Sequence, residues 1–317
     1  MEKNRLKMPG IRILSTGKGL PQGIVTNDDL SQIVDTSHQW IKKRTGMEIR
    51  RHVSGAESNL SLAAAASREA IERAAADPKD IKAVVVATLS ADNFTPSTAC
   101  LLQKELGLSS DIIAIDVNAA CSGFVFGLQT LRGLLMAQGG GLGLIVGAEV
   151  LSKKLDMTDR STCVLFGDGA GAALVKLDFD REFCCKSGVE GDKDMINCPV
   201  SDGYIHMDGQ ATYRFAVAAV PGLIAKTVEQ AGHSLEEIDH FILHQANLRI
   251  IESIAKKLGQ PMDKFFVNIE KYGNTSAASL GLALADADEA GYFKEKDKII
   301  MCAFGAGRTY GAIYMEW

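Results

Sequence analysis

An α/β fold of two similar halves is predicted by three observations: an order of strand and helix patterns that occurs twice, a steady spacing between the matching pieces, and a composition that supplies a large core. The chain has 317 residues, of which 46% are hydrophobic and 23% charged, enough for two medium domains or one large one. No low-complexity tract, long charge block or proline-rich linker interrupts it, so two units would pack tightly rather than swing on a tether.

The first copy opens with DIKAVVVATLSADNFTPSTACLLQKELGL from Asp80 and the second with EIDHFILHQANLRIIESIAKKLGQ from Glu237. Each is an acidic start, an apolar run of strand length, a polar loop and a helical pattern closing on Leu-Gly. IIAIDVN and FFVNIEK then read as second strands, AACSGFVFGLQTL and GNTSAASLGLALA as small-residue turns into helices, and LGLIVGA and KIIMCAF as closing strands. Matching features stay about 155 residues apart, the behaviour of an internal repeat. Strands alternating with helices imply α/β layers with largely parallel central strands, and sites in such folds gather at the carboxyl ends of strands. The expected halves are residues 1–176 and 177–317. FGDGAGAALV, from Phe166, lacks the P-loop Lys and the GxGxxG order and reads as a tight turn and strand.

The net charge of −5 argues against general nucleic-acid binding. The opening MEKNRLKMPGIRIL carries charges where a secretory signal has an apolar run. The most apolar stretches, around 139–150 and 215–225, fall short of the roughly 20 residues of a membrane-spanning helix. A cytoplasmic protein with no nucleic-acid or membrane partner is expected. Seven cysteines, at 100, 121, 163, 184, 185, 198 and 302, are odd in number and irregular in spacing, which fits reduced thiols better than a disulfide framework. Cys184, Cys185 and Cys198 have no CxxC pairing and no histidine at zinc spacing, so no metal site is expected.

Cys121 follows the strand-like run 112–117 at a small-residue bend and opens a helical pattern. Unpaired N–H groups and the positive end of the helix dipole would favour a thiolate there; a small buried cysteine capping the turn is the competing reading. The repeat places Asn274 in the equivalent turn of the second half and His244 after that half's first strand, so pseudo-twofold packing would bring all three together. A thiol, an imidazole and a carboxamide suit thioester chemistry. Cys121 would take an acyl group, with the N–H of Cys121 and one from FGAGRTYG stabilising the tetrahedral oxyanion. His244 and Asn274 would donate hydrogen bonds to an enolate oxygen without adding negative charge. Alone, His244 reads as a partly buried histidine and Asn274 as a turn or cap residue.

NAACSGF around Cys121, HQANLRI around His244 and YGNTSAAS around Asn274 resemble the motifs of β-ketoacyl-acyl carrier protein synthase III, the condensing enzyme that initiates bacterial fatty-acid synthesis. LPQGIVTNDDL, DTSHQWIKKRTGM, FTPSTAC, DMTDRSTCVLFGDGAGA and MDGQATYRFAV extend the resemblance over nearly the whole chain. It implies a thiolase-like fold, with two α/β halves packed about a pseudo-twofold in α-β-α-β-α layers, and a homodimer. It also implies ping-pong chemistry: Cys121 takes an acyl group from acyl-CoA, malonyl-acyl carrier protein loses carbon dioxide with His244 and Asn274 on the thioester oxygen, and the carbanion attacks the acyl-cysteine. No metal or redox cofactor is implied.

The same resemblance assigns Trp40, Arg44, Arg160, Gly209 and Asn247 to CoA binding, where an indole and guanidinium groups suit adenine stacking and phosphate pairing. It places Phe94 at the partner subunit's acyl pocket and gives Ala306 the second oxyanion N–H. The pattern 247–258 reads as a helix burying Leu248, Ile251, Ile254, Ala255 and Leu258. Its Arg249, Lys256 and Lys257, with Arg214, form a basic face for docking an acidic carrier protein, or a plain solvated face. FGAGRTYG departs from the family's FGGGLTWG at Ala306, Arg308 and Tyr310, and Arg308 in place of a large apolar residue leaves the shape or polarity near the acyl site, and with it the starter unit, unassigned. The stretch 180–206 carries little family signal. A thiolase would carry a second cysteine before the terminal glycine loop, and Cys302 is one position out of register. Acyl-CoA condensing or acyl-transfer enzymes of specialised metabolism keep the same three residues and are the alternative; a catalytically silent dimeric scaffold is a further one, against which the intact Cys, His and Asn argue.

Overall fold

A computed structural model describes residues 8–317 of the protein; the charged residues 1–7, part of the reading that no signal segment is present, lie outside them. In chain order the first part comprises β1 (Gly10–Gly19), β2 (Gly23–Thr26), α1 (Asn27–Ser31), α2 (His38–Thr45), β3 (Ile49–His52), α3 (Asn59–Arg73), β4 (Ile81–Ala87), α4 (Thr98–Glu105), β5 (Ile113–Val117), α5 (Gly123–Ala137), β6 (Leu142–Glu149), α6 (Arg160–Cys163) and β7 (Gly169–Asp178). There follow β8 (Phe183–Gly188), β9 (Ile196–Asn197), β10 (His206–Met207), α7 (Gly209–Ala231), β11 (His240–Leu243), α8 (Leu248–Leu258), α9 (Ile269–Tyr272), α10 (Ala278–Glu289), β12 (Lys298–Gly305) and β13 (Thr309–Glu316).

Two sheets share one topology. The first runs β1-β7-β6-β4-β5 and the second β8-β13-β12-β11, so each strand of the second has a counterpart at the same place in the first. The expected parallel pairing holds at the centre, between β4 and both β5 and β6 and between β11 and β12. The flanking strands are antiparallel; in the second sheet β13 returns from β12 through a tight turn and needs no helical crossover. The fifth position of the second sheet departs from the reading of FFVNIEK as a strand: it holds only a parallel bridge between Phe241 and Phe265. Gln245 takes the place of a ladder there, donating to the carbonyls of Leu243 (2.8 Å) and Phe266 (3.2 Å) and accepting from the Asn268 N–H (3.2 Å). α9 then starts at once.

Strand alternation builds the layers. Ala83 and Val85 of β4 join one core with Ile299 and Met301 of β12, whereas Val84 and Val86 face Leu62, Ala66 and Leu102 of α3 and α4. Ile300 and Cys302 face Val220, Ile224, Ile251 and Ile254 of α7 and α8. Leu128 and Leu131 of α5 and Leu280 and Leu284 of α10 fill the space between the sheets. The result is the expected α-β-α-β-α stack. α5 also explains a span the hydropathy reading passed over: the window Ala120–Ala137 is long and apolar enough to cross a membrane by length and composition, but it is the core helix between two sheets. In α8 the buried stripe is Ile250, Ile251, Ile254, Ala255 and Leu258. Leu248, expected in that stripe, is half-buried beside Trp40 instead.

Candidate active site

β5 ends at Val117, and the carboxamide of Asn118 accepts the Ala120 N–H at 3.2 Å. Ala120 takes a left-handed φ of 46°, which costs a non-glycine residue energy and marks a turn held by its surroundings. Cys121 lies in the short turn of 3-10 helix (Ala120–Ser122) that leads into α5. The end of β12 passes directly over it: a Cβ on Gly305 would lie 2.9 Å from both the Cβ and the N of Cys121. Only glycine allows that approach, which sets Gly305 and Ala306 beside the thiol. Gly305→Ala is therefore expected to destabilise the fold by about 1–3 kcal/mol through overpacking, read by thermal melting.

His244 follows β11, and its N–H donates to the Cys302 carbonyl of the neighbouring parallel strand at 2.8 Å. Its Nδ1 is 2.6 Å from the Ser279 hydroxyl, and its ring stands edge-on to Phe304 with centroids 5.6 Å apart. Burial pushes the imidazole down to about 3, so it is neutral at physiological pH. Asn274 is anchored through its backbone, accepting from the Gly167 N–H (3.0 Å) and donating to the Leu165 carbonyl (2.9 Å). Its Oδ1 accepts the Ser276 N–H at 2.9 Å, which orients the carboxamide and leaves the NH₂ as donor. The fully buried Arg50 braces this region, donating to the Val164 carbonyl (2.8 Å) and to Oδ1 of Asn27 (2.7 Å).

Cys121, His244 and Asn274, each nearly buried, line one cavity of about 720 Å³ together with Ala306, Trp40, Arg44, Arg160, Gly209, Asn247, Arg214 and Arg249. The Arg44 and Arg160 guanidinium carbons lie 4.8 and 5.2 Å from the Trp40 ring centroid. Gly209 begins α7, where Asp208 caps the helix. Asn247 caps α8 by accepting the Arg249 N–H at 2.9 Å. Three predicted residues do not line the cavity. Phe94 projects fully exposed from the loop after β4, and Lys256 and Lys257 lie in the last turn of α8, Lys257 tied to the Val217 carbonyl at 3.0 Å.

The structure corrects the expected ease of thiolate formation at Cys121. Burial pushes its thiol up to about 12, the Glu149 charge adds to this, and the Ser276 hydroxyl only partly opposes it. The helix N-terminus is outweighed by loss of water, so the resting group is the thiol. Arg308 lies outside the cavity lining and pairs with Glu190 (2.9 Å) and Asp192 (2.8 Å), so its charge is spent on the 190–192 loop. Cys302 is buried in β12 and does not line the cavity. Among the described residues no cluster of three or more His, Cys, Asp or Glu is placed to hold a metal.

The sequence reading missed part of the wall. Ile196 and Ile205, from the stretch left unassigned, line the cavity beside Met207, on or next to the two-residue strands β9 and β10, too short to leave a periodic pattern. Ser276, Ser279 and Phe304 stood inside quoted motifs, but only the tertiary contacts show what they touch.

Two family models match the chain: 3-oxoacyl-[acyl-carrier-protein (ACP)] synthase III over residues 115–189 and its C-terminal counterpart over residues 228–317. A β-ketoacyl-[acyl-carrier-protein] synthase III of Clostridium acetobutylicum is 41% identical over 98% of this chain and 99% of its own length. Among solved structures, the 3-oxoacyl-[acyl-carrier-protein] synthase III of Aquifex aeolicus VF5 superposes with a TM-score of 0.94 at 40% identity, covering 97% of this chain and 100% of that one. The synthase III of Thermus thermophilus does so with a TM-score of 0.91 at 37% identity, covering 96% and 98%. With both family models, a full-length relative and the fold in agreement, the chain belongs to the β-ketoacyl-[acyl-carrier-protein] synthase III family.

Proposed function

We propose that the protein condenses an acyl-CoA starter with malonyl-acyl carrier protein, giving 3-oxoacyl-acyl carrier protein, CoA and carbon dioxide, through an acyl-Cys121 intermediate. The observation that carries this reading is the convergence of Cys121, His244 and Asn274 in one cavity whose lining also holds Trp40, Arg44 and Arg160. In the first half-reaction the Cys121 sulfur bonds to the acyl carbon, the carbon–sulfur bond to CoA breaks, and the thiol proton leaves with CoA. The N–H groups of Cys121 and Ala306 hold the developing oxyanion.

In the second half-reaction malonyl-carrier protein loses carbon dioxide and leaves an electron pair as an enolate. A hydroxyl proton donated by Ser279 to Nδ1 puts the ring proton of the neutral His244 on Nε2, and that N–H and the Asn274 NH₂ bind the enolate oxygen. The carbanion attacks the acyl-cysteine carbonyl, and the Cys121 sulfur leaves and regains a proton. Carbon dioxide release drives the step. No metal or redox cofactor takes part.

Arg44 and Arg160 bind CoA phosphates while Trp40 and a guanidinium stack on its base, with Gly209 and Asn247 completing the channel. Trp40→Ala is expected to raise KM for acyl-CoA about tenfold, the equivalent of one stacking contact, with kcat little changed; an equal fall in kcat at unchanged KM would count against this assignment. Arg214, Arg249, Lys256 and Lys257 form the docking face for the acidic carrier protein. The protein is a cytoplasmic homodimer in which the exposed Phe94 reaches the partner subunit, and residues 1–176 and 177–317 are its two halves. Incubation with acetyl-CoA and malonyl-carrier protein tests the reading: a 3-oxoacyl product with carbon dioxide is expected, and failure to release carbon dioxide contradicts it.

A further inference from the structure

Arg50, on β3, is fully buried, yet none of its hydrogen-bond acceptors is a carboxylate. Nη2 donates to the Val164 carbonyl at 2.8 Å, and Nη1 donates to Oδ1 of Asn27 at 2.7 Å and more loosely to the Val25 carbonyl at 3.4 Å. Among the described residues its buried Nε meets no acceptor. Burial pushes the guanidinium down to about 10, so it is still charged at neutral pH. A charge taken out of water and answered by neutral dipoles costs stability that an apolar side chain of the same volume would not.

Asn274 lines the cavity and Arg50 does not. Behind Asn274 the segments 165–167 and 272–274 run side by side, joined by a parallel bridge between Phe166 and Asn274. A Cβ on Gly167 would meet the Tyr272 carbonyl oxygen at 2.3 Å, and one on Gly273 the Leu165 carbonyl oxygen at 2.7 Å. The same two missing Cβ atoms would lie 3.1 and 3.4 Å from the Cβ of Arg50, so the arginine stem lies against both segments. Its guanidinium holds the Val164 carbonyl, the next carbonyl along, Leu165, accepts the Asn274 N–H (2.9 Å), and the Gly167 N–H donates to the Asn274 carbonyl (3.0 Å). At the other end Nδ2 of Asn27 donates to the Met47 carbonyl at 2.9 Å, which ties the arrangement to the chain entering β3. The Asn274 carboxamide is oriented by the Ser276 N–H of its own turn, so its aim follows its backbone.

We propose that Arg50 is a positioning residue for Asn274: it fixes the paired segments 165–167 and 272–274 and thereby aims the carboxamide NH₂ at the enolate oxygen. The two arms of the guanidinium reach Asn27 and Val164 at once, a fork that a lysine ammonium does not reproduce. The inference rests on the enolate role of Asn274 proposed above.

The test compares the wild type, Arg50→Lys, Asn274→Ala and the double variant in both half-reactions. Arg50→Lys is expected to slow carbon dioxide release from malonyl-carrier protein about 10–100-fold, as a misplaced group does, while acetyl-Cys121 forms from acetyl-CoA at the wild-type rate. In the Asn274→Ala background the same change should cost nothing further. Equal losses in both half-reactions, or losses that multiply in the double variant, overturn the proposal. Hydrogen exchange of the peptide spanning 272–276 reads the backbone directly: about tenfold faster exchange in Arg50→Lys supports the brace, and unchanged exchange overturns it. Should circular dichroism show Arg50→Lys unfolded, Asn27→Ala, which frees the other arm, decides by the same split between half-reactions, whose absence overturns the proposal. Wild-type carbon dioxide release by Asn274→Ala would refute the enolate role, while the exchange measurement still reports on Arg50.

Discussion

Cys121→Ser is expected to lose acyl transfer from acyl-CoA by about a thousandfold or more, because an alcohol is a far weaker nucleophile than a thiol and the buried site holds no base strong enough to ionise it. The substitution swaps sulfur for oxygen in a nearly buried position, so the fold should persist and the melting temperature should move by only a few degrees, the equivalent of about 1 kcal/mol. Rapid-mixing mass spectrometry with acetyl-CoA checks the loss and calorimetry checks the fold. A folded Cys121→Ser protein that transfers acyl groups at the wild-type rate would place the nucleophile elsewhere.

His244→Ala and Asn274→Asp should separate the half-reactions. Each removes a donor from the enolate oxygen, a loss of about 10²–10³ in decarboxylation, while acylation of Cys121 continues. Asn274→Asp is the sharper probe. Its carboxylate still accepts the Ser276 N–H that now meets Oδ1, which preserves the turn, but it sets a negative charge against a developing negative charge. Its deficit should exceed that of Asn274→Ala. Carbon dioxide release from malonyl-carrier protein measures one half and acetyl-Cys121 formation the other; equal losses in both would mean that the two residues serve acylation as well.

How far the sequence could be read depended on whether a feature is local or tertiary. The repeat was legible because strands such as β4 and β12 bury both faces and stand out as apolar runs, and the shared strand order of the two sheets bears this out. FFVNIEK misled because its pattern is that of a strand, whereas its backbone groups are partly claimed by the side chain of Gln245. Cys121, His244 and Asn274 could be found because each sits on a turn at a repeated position. Ser279 could not, since nothing in NTSAAS says that its hydroxyl meets the His244 ring.

Charge was the least legible property. A helix start suggested an easily ionised cysteine, but the thiol is pushed up by the burial that the α5 and β12 packing imposes. Arg308 left the shape or polarity of the acyl site open, and two carboxylates on the 190–192 loop draw it aside. Both effects depend on neighbours more than a hundred residues away along the chain.

The most direct measurement follows the mass of the Cys121 peptide after acetyl-CoA is added and again after malonyl-carrier protein. A single acetyl group should appear on Cys121 with release of CoA, then disappear as carbon dioxide and a 3-oxoacyl-carrier protein form. A Cys121 peptide that never carries the acetyl group, or an acetyl-Cys121 that malonyl-carrier protein leaves in place, would contradict the proposed reaction.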